Sequence, residues 1–264
     1  LDLLSLFHAV EEGFCRQSPH RAVVRMAGGV IGEDLGIHQV AVQILIIDLF
    51  AFQLFGQFGA GRFQIHRGEM GDNLPFVDLG HSRVVALTGG SQHTCARFAD
   101  DQIKCWGQGL WGILGNGSGQ DRGDEPGEMG TALVPVDLGT EDDRVIDVQS
   151  GRGRHTCALF ESGRMKCWGT AGWGRLGTER DVLSGIGYRP EQLGDALPFI
   201  DVGTHEPVAA MRLGDRHVCA LLAGGRMKCW GSNHSGQLGL GDRVDRGDGP
   251  HQMGDDLPTV DVDP

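Results

Sequence analysis

The chain has 264 residues, of which 40% are hydrophobic and 44 are glycine. This apolar content is enough for a buried core, so a globally disordered chain is excluded. The formal net charge is −12, and no basic stripe is present because the three lysines lie far apart and the arginines are scattered among acids. Nucleic acid is therefore not expected as a partner.

The first segment, residues 1–55, shows none of the motifs that follow it. Residues 40–55 are strongly apolar but interrupted by polar residues. A membrane-spanning helix needs about 20 mainly apolar residues, so no membrane span is expected here, and a buried pair of strands is the simplest interpretation. Three alternatives are open for the whole segment: a degenerate repeat, a cap, or an error in the reading frame.

Residues 56–264 contain a repeat with a period of 62 residues. Its clearest part is a His-x-Cys motif, a second cysteine ten residues after the first, and a final Trp-Gly. This pattern occurs at 93–107, 155–169 and 217–231. A fixed period of this size indicates a repeat architecture.

Each copy predicts a β-hairpin. In the middle copy two β-prone runs flank a three-residue link that ends at Gly163, where the backbone is expected to be left-handed. Asp101 and Gly225 stand at the same position of the other copies, and both residue types tolerate that conformation. Counting along the ladder places Cys157 opposite Cys167, with Cα atoms about 4.5 Å apart. A disulfide can join such a pair.

Two single strands and a polar, glycine-rich loop are predicted to complete each unit. The loops cover 107–135, 169–198 and 231–258. A strand after each loop is predicted at 76–79, 136–138, 199–202 and 259–262, and the next strand at 84–87, 145–148 and 208–211. Two single strands would thus precede each hairpin. Repeated four-stranded antiparallel sheets are typical of propeller blades, so the predicted fold is all-β.

The motifs of residues 56–264 also resemble a known family. Gly-x-x-His-Thr-Cys-Ala-Leu, Gly-x-x-Lys-Cys-Trp-Gly and Gly-Gln-Leu-Gly-Leu-Gly-Asp are similar to the regulator of chromosome condensation repeat. The version with paired cysteines resembles the repeats of bacterial secreted or cell-surface proteins. The resemblance implies a β-propeller, typically of seven blades. This chain has too few repeat units to form the whole propeller. The family's eukaryotic founder exchanges nucleotide on a nuclear GTPase and binds chromatin, roles that paired cysteines and the −12 charge disfavour here.

The repeated cysteines and histidines are candidate site residues. We expect the disulfides Cys95–Cys105, Cys157–Cys167 and Cys219–Cys229. Buried reduced thiols and a metal site are the alternatives, although the spacing within each pair is not the short one usual for structural zinc. One histidine shares a strand face with the first cysteine of each pair, at His93, His155 and His217. We expect these histidines to form hydrogen bonds between strands or blades.

The repeated tryptophans and one group of aspartates are further candidates. Trp106, Trp168 and Trp230 are expected to pack between blades, with an exposed row of binding aromatics as the alternative. Asp242, Asp245 and Asp248 form a weak calcium candidate. Their spacing lacks the alternation and the distal glutamate of the known calcium loop, so a solvated turn is the favoured interpretation and no metal or cofactor is expected.

These patterns predict a binding module rather than an enzyme. No nucleophile elbow, phosphate-binding loop or other catalytic set is present in the sequence. Variable loops on a rigid frame are typical of protein recognition, so an unknown protein partner is expected. A structural spacer and, less favoured, a guanine-nucleotide exchange factor are the alternatives. Paired cysteines indicate an extracellular or cell-surface location, and the start at Leu1 without a signal segment indicates a fragment.

Overall fold

The computed structural model describes residues 71–80, 82–139, 142–179, 185–204 and 206–261. The predictions for residues 1–55 lie outside this part of the chain. Within it the fold is all-β, as predicted, with ten strands, seven short 3-10 helices and no α-helix. None of the helices described is long and apolar enough to cross a membrane.

The strands form three antiparallel sheets that follow one another along the chain. Blade 1 contains β1 (Val84–Gly89), β2 (His93–Phe98) and β3 (Ile103–Gly107). Blade 2 contains β4 (Val145–Gly151), β5 (His155–Phe160) and β6 (Met165–Gly169). Blade 3 contains β7 (Val208–Leu213), β8 (His217–Leu222), β9 (Met227–Gly231) and β10 (Thr259–Val260), and β10 lies beside β9. The sheets are propeller-type blades built on one repeated plan.

The 3-10 helices lie before blade 1, in the segments between blades, and in the loop between β9 and β10 of blade 3. Their bounds are Gly71–Asn73, Leu110–Gly112, Gly130–Ala132, Gly172–Gly174, Pro190–Gln192, Gly194–Ala196 and Gly254–Asp256.

The three hairpins have the predicted turn and register. The left-handed position has a φ of 81° at Gly163, 64° at Asp101 and 87° at Gly225. In blade 2, Cys157 lies opposite Cys167. The structure joins the cysteines of each hairpin, with Cα atoms 4.1 Å apart, as Cys95–Cys105, Cys157–Cys167 and Cys219–Cys229.

The order of the strands within a blade differs from the prediction. Pro135 pairs with Lys104 and Phe199 with Lys166 as isolated bridges, while Thr259 pairs with Lys228 in the ladder of β10. The segment after each loop therefore closes the blade of the preceding hairpin, and only in blade 3 is it a regular strand. The order of these segments along the chain can be read from the sequence. Whether a segment pairs with the preceding or with the following hairpin is decided by packing. We call residues 135–139, 199–203 and 259–261 the outer segments.

The three lysines donate to backbone carbonyl groups near the outer segments, and Lys166 ties the outer segment of blade 1 to blade 2. Lys166 of β6 donates from Nζ to the carbonyl oxygen of Leu138, in the outer segment of blade 1, at 2.8 Å. It also donates to the carbonyl oxygen of Gly194, in the loop of blade 2, at 3.0 Å. The equivalent bonds are Lys104 to Leu79 and Gly130, at 3.5 and 3.2 Å, and Lys228 to Gly254 at 2.6 Å. Each ammonium group thus satisfies backbone acceptors that the strand ladders leave free.

Replacing Lys166 by methionine should destabilise the protein strongly. Lys166 is only 2% exposed, so its loss leaves buried carbonyl groups without a donor, at a cost of about 2–5 kcal/mol. The half-buried Lys104 makes the same contacts at longer range, so Lys104→Met should cost less than half as much. Urea unfolding of both variants measures the difference, and equal losses would contradict this role.

Candidate functional site

The two ends of each blade carry different structures. The hairpin turns lie at one end, which we call the turn end. At the opposite end β2 begins and β3 finishes, so that His93 pairs with Gly107, and the long loop leaves the blade there. The β1–β2 turn, at residues 90–92, lies at the same end. We call the surface formed by residues 90–92, 107–117, 152–154, 170–178 and 214–216 the tryptophan end.

Two exposed tryptophans mark this surface. Trp111 and Trp173 lie at equivalent positions in the first turns of the loops of blades 1 and 2. Both have left-handed backbone, with φ of 65° and 61°. Bulky residues rarely adopt this conformation, which costs about 1–2 kcal/mol, and such strain is concentrated at functional sites. Their side chains are nevertheless 40% and 39% exposed, so burial of the indole does not offset the strain.

Two arginines surround the ring of Trp173. The guanidinium carbon of Arg216, from the β7–β8 turn, lies 4.5 Å from the ring centroid, and that of Arg175 lies 5.0 Å away. Arg175 is buried and donates from Nε to the carbonyl oxygen of Gly172 at 2.9 Å, and from Nη1 to that of Gly153. Burial, assisted by the charge of Arg216, lowers the pKa of Arg175 to about 10, so Arg175 is charged at neutral pH.

The loops that carry these side chains are bonded to the blades. Gly107 and Arg122 exchange two backbone hydrogen bonds, of 2.8 and 2.9 Å, across the base of the first loop. The same pairs recur in the other loops as Gly169 with Ile186 and Gly231 with Arg246. The first loop also bonds to the second, since the amide of Gly117 donates to the carbonyl oxygen of Gly187 at 3.1 Å. The tryptophan end is therefore a connected surface.

The repeated histidines lie beneath this end and belong to the framework. His93 is buried, and its Nε2 is 2.8 Å from Oγ1 of Thr156 in blade 2, a hydrogen bond between blades. Burial lowers the pKa of His93 to about 4. Burial, assisted by the charge of Arg175, lowers the pKa of the buried His155 to about 3. His217 is half-buried, and burial lowers its pKa as well. The histidines of blades 1 and 2 are thus neutral at physiological pH.

Two of the repeated tryptophans, Trp168 and Trp230, lie between blades. Trp168 and Trp230 have no exposed surface, and the indole nitrogen of Trp230 donates to the carbonyl oxygen of Arg175 at 3.2 Å. A glycine of the preceding loop lies against each indole. A Cβ at Gly115 would lie 2.7 Å from Nε1 of Trp168, and one at Gly177 would lie 2.8 Å from Nε1 of Trp230. Trp106 is half-buried.

The aspartates of the third loop are engaged in that loop's own structure. Asp242 accepts from the backbone amide of Val244 at 2.9 Å and from Arg246 at 2.7 Å, and the first of these bonds lowers its pKa. Asp245 accepts from the backbone amide of Asn233 at 2.6 Å. Asp242, Asp245 and Asp248 do not form a metal-binding cluster, and neither does any other group of three or more His, Cys, Asp or Glu side chains in the described ranges.

Comparison with known proteins relates this geometry to a repeat family. Residues 145–171, which contain β4, β5 and β6 of blade 2, and residues 208–237, which contain β7, β8 and β9 of blade 3, match the regulator of chromosome condensation (RCC1) repeat. Two stretches of the chain are thus similar to the RCC1 repeat.

Several curated proteins are similar over the same region. The chain is 30% identical to the ultraviolet-B receptor UVR8 of Arabidopsis thaliana over 167 residues, which are 62% of this chain and 33% of the receptor. It is 30% identical to the mitochondrial RCC1 domain-containing protein RUG3 of Arabidopsis thaliana, over 64% of this chain and 35% of that protein. The chain therefore spans about a third of the length of these relatives. The solved structure of Prp20p from Saccharomyces cerevisiae has a TM-score of 0.48 and 18% identity, over 68% of this chain and 38% of that one.

The exposed tryptophans were not among the candidate residues predicted from the sequence. Those candidates were the tryptophans that follow the cysteines, of which Trp168 and Trp230 lie between blades. The sequence did contain a signal for Trp111 and Trp173, because they are the remaining tryptophans of the chain and are separated by one repeat period. Arg175 and Arg216 carried no such signal, since their positions around Trp173 depend on the contact between blades 2 and 3.

The buried histidines should make stability depend on pH. The unfolded chain takes up protons near the usual histidine pKa of 6.5, whereas folded His93 does so only near 4. The free energy of unfolding should therefore fall as the pH is lowered from 6.5 to 4, by about 3 kcal/mol for this residue. His93→Gln keeps a donor for Thr156 and should show a shallower decrease. Urea unfolding of both proteins across this pH range tests the prediction. Identical pH profiles for the parent chain and for His93→Gln would contradict it.

Proposed function

We propose that the described blades form a non-catalytic protein-binding module that recognises its partner through the tryptophan end. The observation that carries this proposal is the pair of half-exposed indoles on strained backbone, Trp111 and Trp173. Tryptophan and arginine are the residues that most often dominate binding energy at protein interfaces. Trp173 and the exposed Arg216 offer such a group on one small area of surface, and the buried Arg175 lies against the same ring.

The frame beneath these residues is suited to recognition. The loops bond to their own blade and to each other, so the indoles are held in place before a partner arrives. Preorganised side chains lose little conformational entropy on binding. The loops also differ in sequence, and the third has Ser235 where the first two have tryptophan. A module of this kind has a constant framework and a variable contact surface.

We further propose that this module belongs to a secreted or cell-surface protein, as in the bacterial repeats with paired cysteines. The support is the presence of one cross-strand disulfide in each described blade. Disulfides in this number persist in oxidising compartments and are rare in the cytosol. The names of the similar proteins do not provide this support, since they include the mitochondrial protein RUG3.

Substitution of the two exposed tryptophans should abolish partner binding while the fold is retained. The double variant Trp111→Ala, Trp173→Ala removes indoles that contribute little to the core, so its melting temperature should stay within about 3 °C of the parent protein. Its affinity for a partner should fall at least about tenfold, as for an interface hot spot. Partners are identified by retention from extracellular and surface fractions on the immobilised full chain.

Leu221→Ala is the matched control, because Leu221 is 42% exposed but lies in β8 outside the loops. This variant should retain the same partners as the parent chain. If the double tryptophan variant retains them equally well, the binding surface is elsewhere. If the immobilised full chain retains no protein, through the tryptophan end or through any other surface, the module is a structural spacer.

A further inference from the structure

An aromatic ring fills a cationic slot in blade 2. Phe199 of the outer segment lies beside Lys166 and packs edge to face on Phe160, with ring centroids 5.4 Å apart. The guanidinium carbon of Arg164 lies 3.9 Å from the centre of the Phe199 ring, and the ammonium nitrogen of Lys166 lies 4.5 Å from it. The face of an aromatic ring attracts cations, so both contacts are favourable.

Blade 3 has the same slot without the ring. Thr259 stands at the position of Phe199 and pairs with Lys228, the equivalent of Lys166. A cavity of about 350 Å³ occupies this place, and its lining includes Leu222, Arg226, Lys228 and Thr259. Leu222 corresponds to Phe160 and Arg226 to Arg164. The cavity is therefore the space that a phenyl ring fills in the preceding blade.

The cations around this cavity are held in position without a ring. Arg226 forms an ion pair of 3.1 Å with Glu206, as Arg164 does with Asp143 at 3.0 Å in blade 2. Lys228 donates to the carbonyl oxygen of Gly254 at 2.6 Å. A ligand would find both cations already oriented, which reduces the entropic cost of binding.

The cavity is also large enough for an aromatic ring and accessible to a second chain. A cavity of about 150 Å³ can hold benzene, and this one has more than twice that volume. Thr259, Pro258 and Arg226 on its rim are exposed, and β10 is the edge strand of its sheet, so a second chain can approach.

We propose that this cavity of blade 3 is a binding site for an aromatic side chain presented by a partner polypeptide. The ring would lie where Phe199 lies in blade 2, with Arg226 and Lys228 against its faces and Leu222 beneath it. Arg226 follows the hairpin turn directly, so this site is at the turn end. It is distinct from the tryptophan end, and a partner could engage either surface without the other.

The test titrates the full chain with N-acetylphenylalanine amide and follows the chemical shifts of the backbone amides of residues 226–229, 259 and 260. We expect saturable binding of one equivalent, with a dissociation constant of about 1 mM. N-acetylcyclohexylalanine amide has a similar shape without aromatic faces and should bind about fivefold more weakly. Equal affinity for the two probes would overturn the cationic slot. Binding of free indole without binding of the phenylalanine amide would overturn a polypeptide as the occupant.

Reciprocal substitutions provide the decisive comparison. Thr259→Phe should fill the cavity, abolish binding of the amide and raise the melting temperature by about 2–4 °C. Thr259→Val leaves the cavity open and should bind as the parent chain does. Phe199→Thr should create the same cavity in blade 2 and bind a second equivalent. Unchanged binding of the amide by Thr259→Phe would overturn the proposal, even if the Phe199→Thr variant does not fold. Trp111→Ala lies at the other end of the blades and should leave binding of the amide unaffected.

Discussion

The structure depends on the way each blade is closed by a segment that lies beyond a long loop. Because the outer segment pairs with only one strand, its other contacts come from the next blade. The buried Lys166 of blade 2 supplies one of them by donating to the carbonyl oxygen of Leu138, and it also donates to that of Gly194 in the loop of its own blade. A buried ammonium group is costly unless it is fully hydrogen-bonded, so this geometry is tightly constrained. This constraint fixes the loop of blade 2 and the outer segment of blade 1.

The two proposed binding surfaces both depend on this closure, and one lies at each end of the blades. At one end, a loop anchored at its base by Gly107 and Arg122 can hold Trp111 in a strained conformation that an unanchored loop would relax. At the other end, the outer segment delivers one side chain into a slot between cations. Phe199 fills that slot and Thr259 does not, so a single position in the repeat separates a packed slot from an open cavity.

The parts of this arrangement that are local in sequence could be predicted. The turn at Gly163 and the pairing of Cys157 with Cys167 follow from residue type and from counting along one hairpin. The partner of each outer segment was predicted wrongly, because pairing across a loop of almost thirty residues is decided by packing. The surroundings of Trp173 and the cavity beside Thr259 were not predicted for the same reason. Both depend on contacts between blades, which the spacing of motifs does not specify.

Residue-resolved hydrogen exchange of the native protein tests most directly whether the loops are part of the blade frame. The amides of Arg122, Ile186 and Arg246 bond to strand ends, so they should exchange as slowly as those of the hairpin strands. The exposed Gly119 and Gly127 of the first loop provide the fast-exchanging reference. Exchange of Arg122, Ile186 and Arg246 at the rate of these glycines would show that the loops open independently. Such a result would contradict a rigid surface at the tryptophan end.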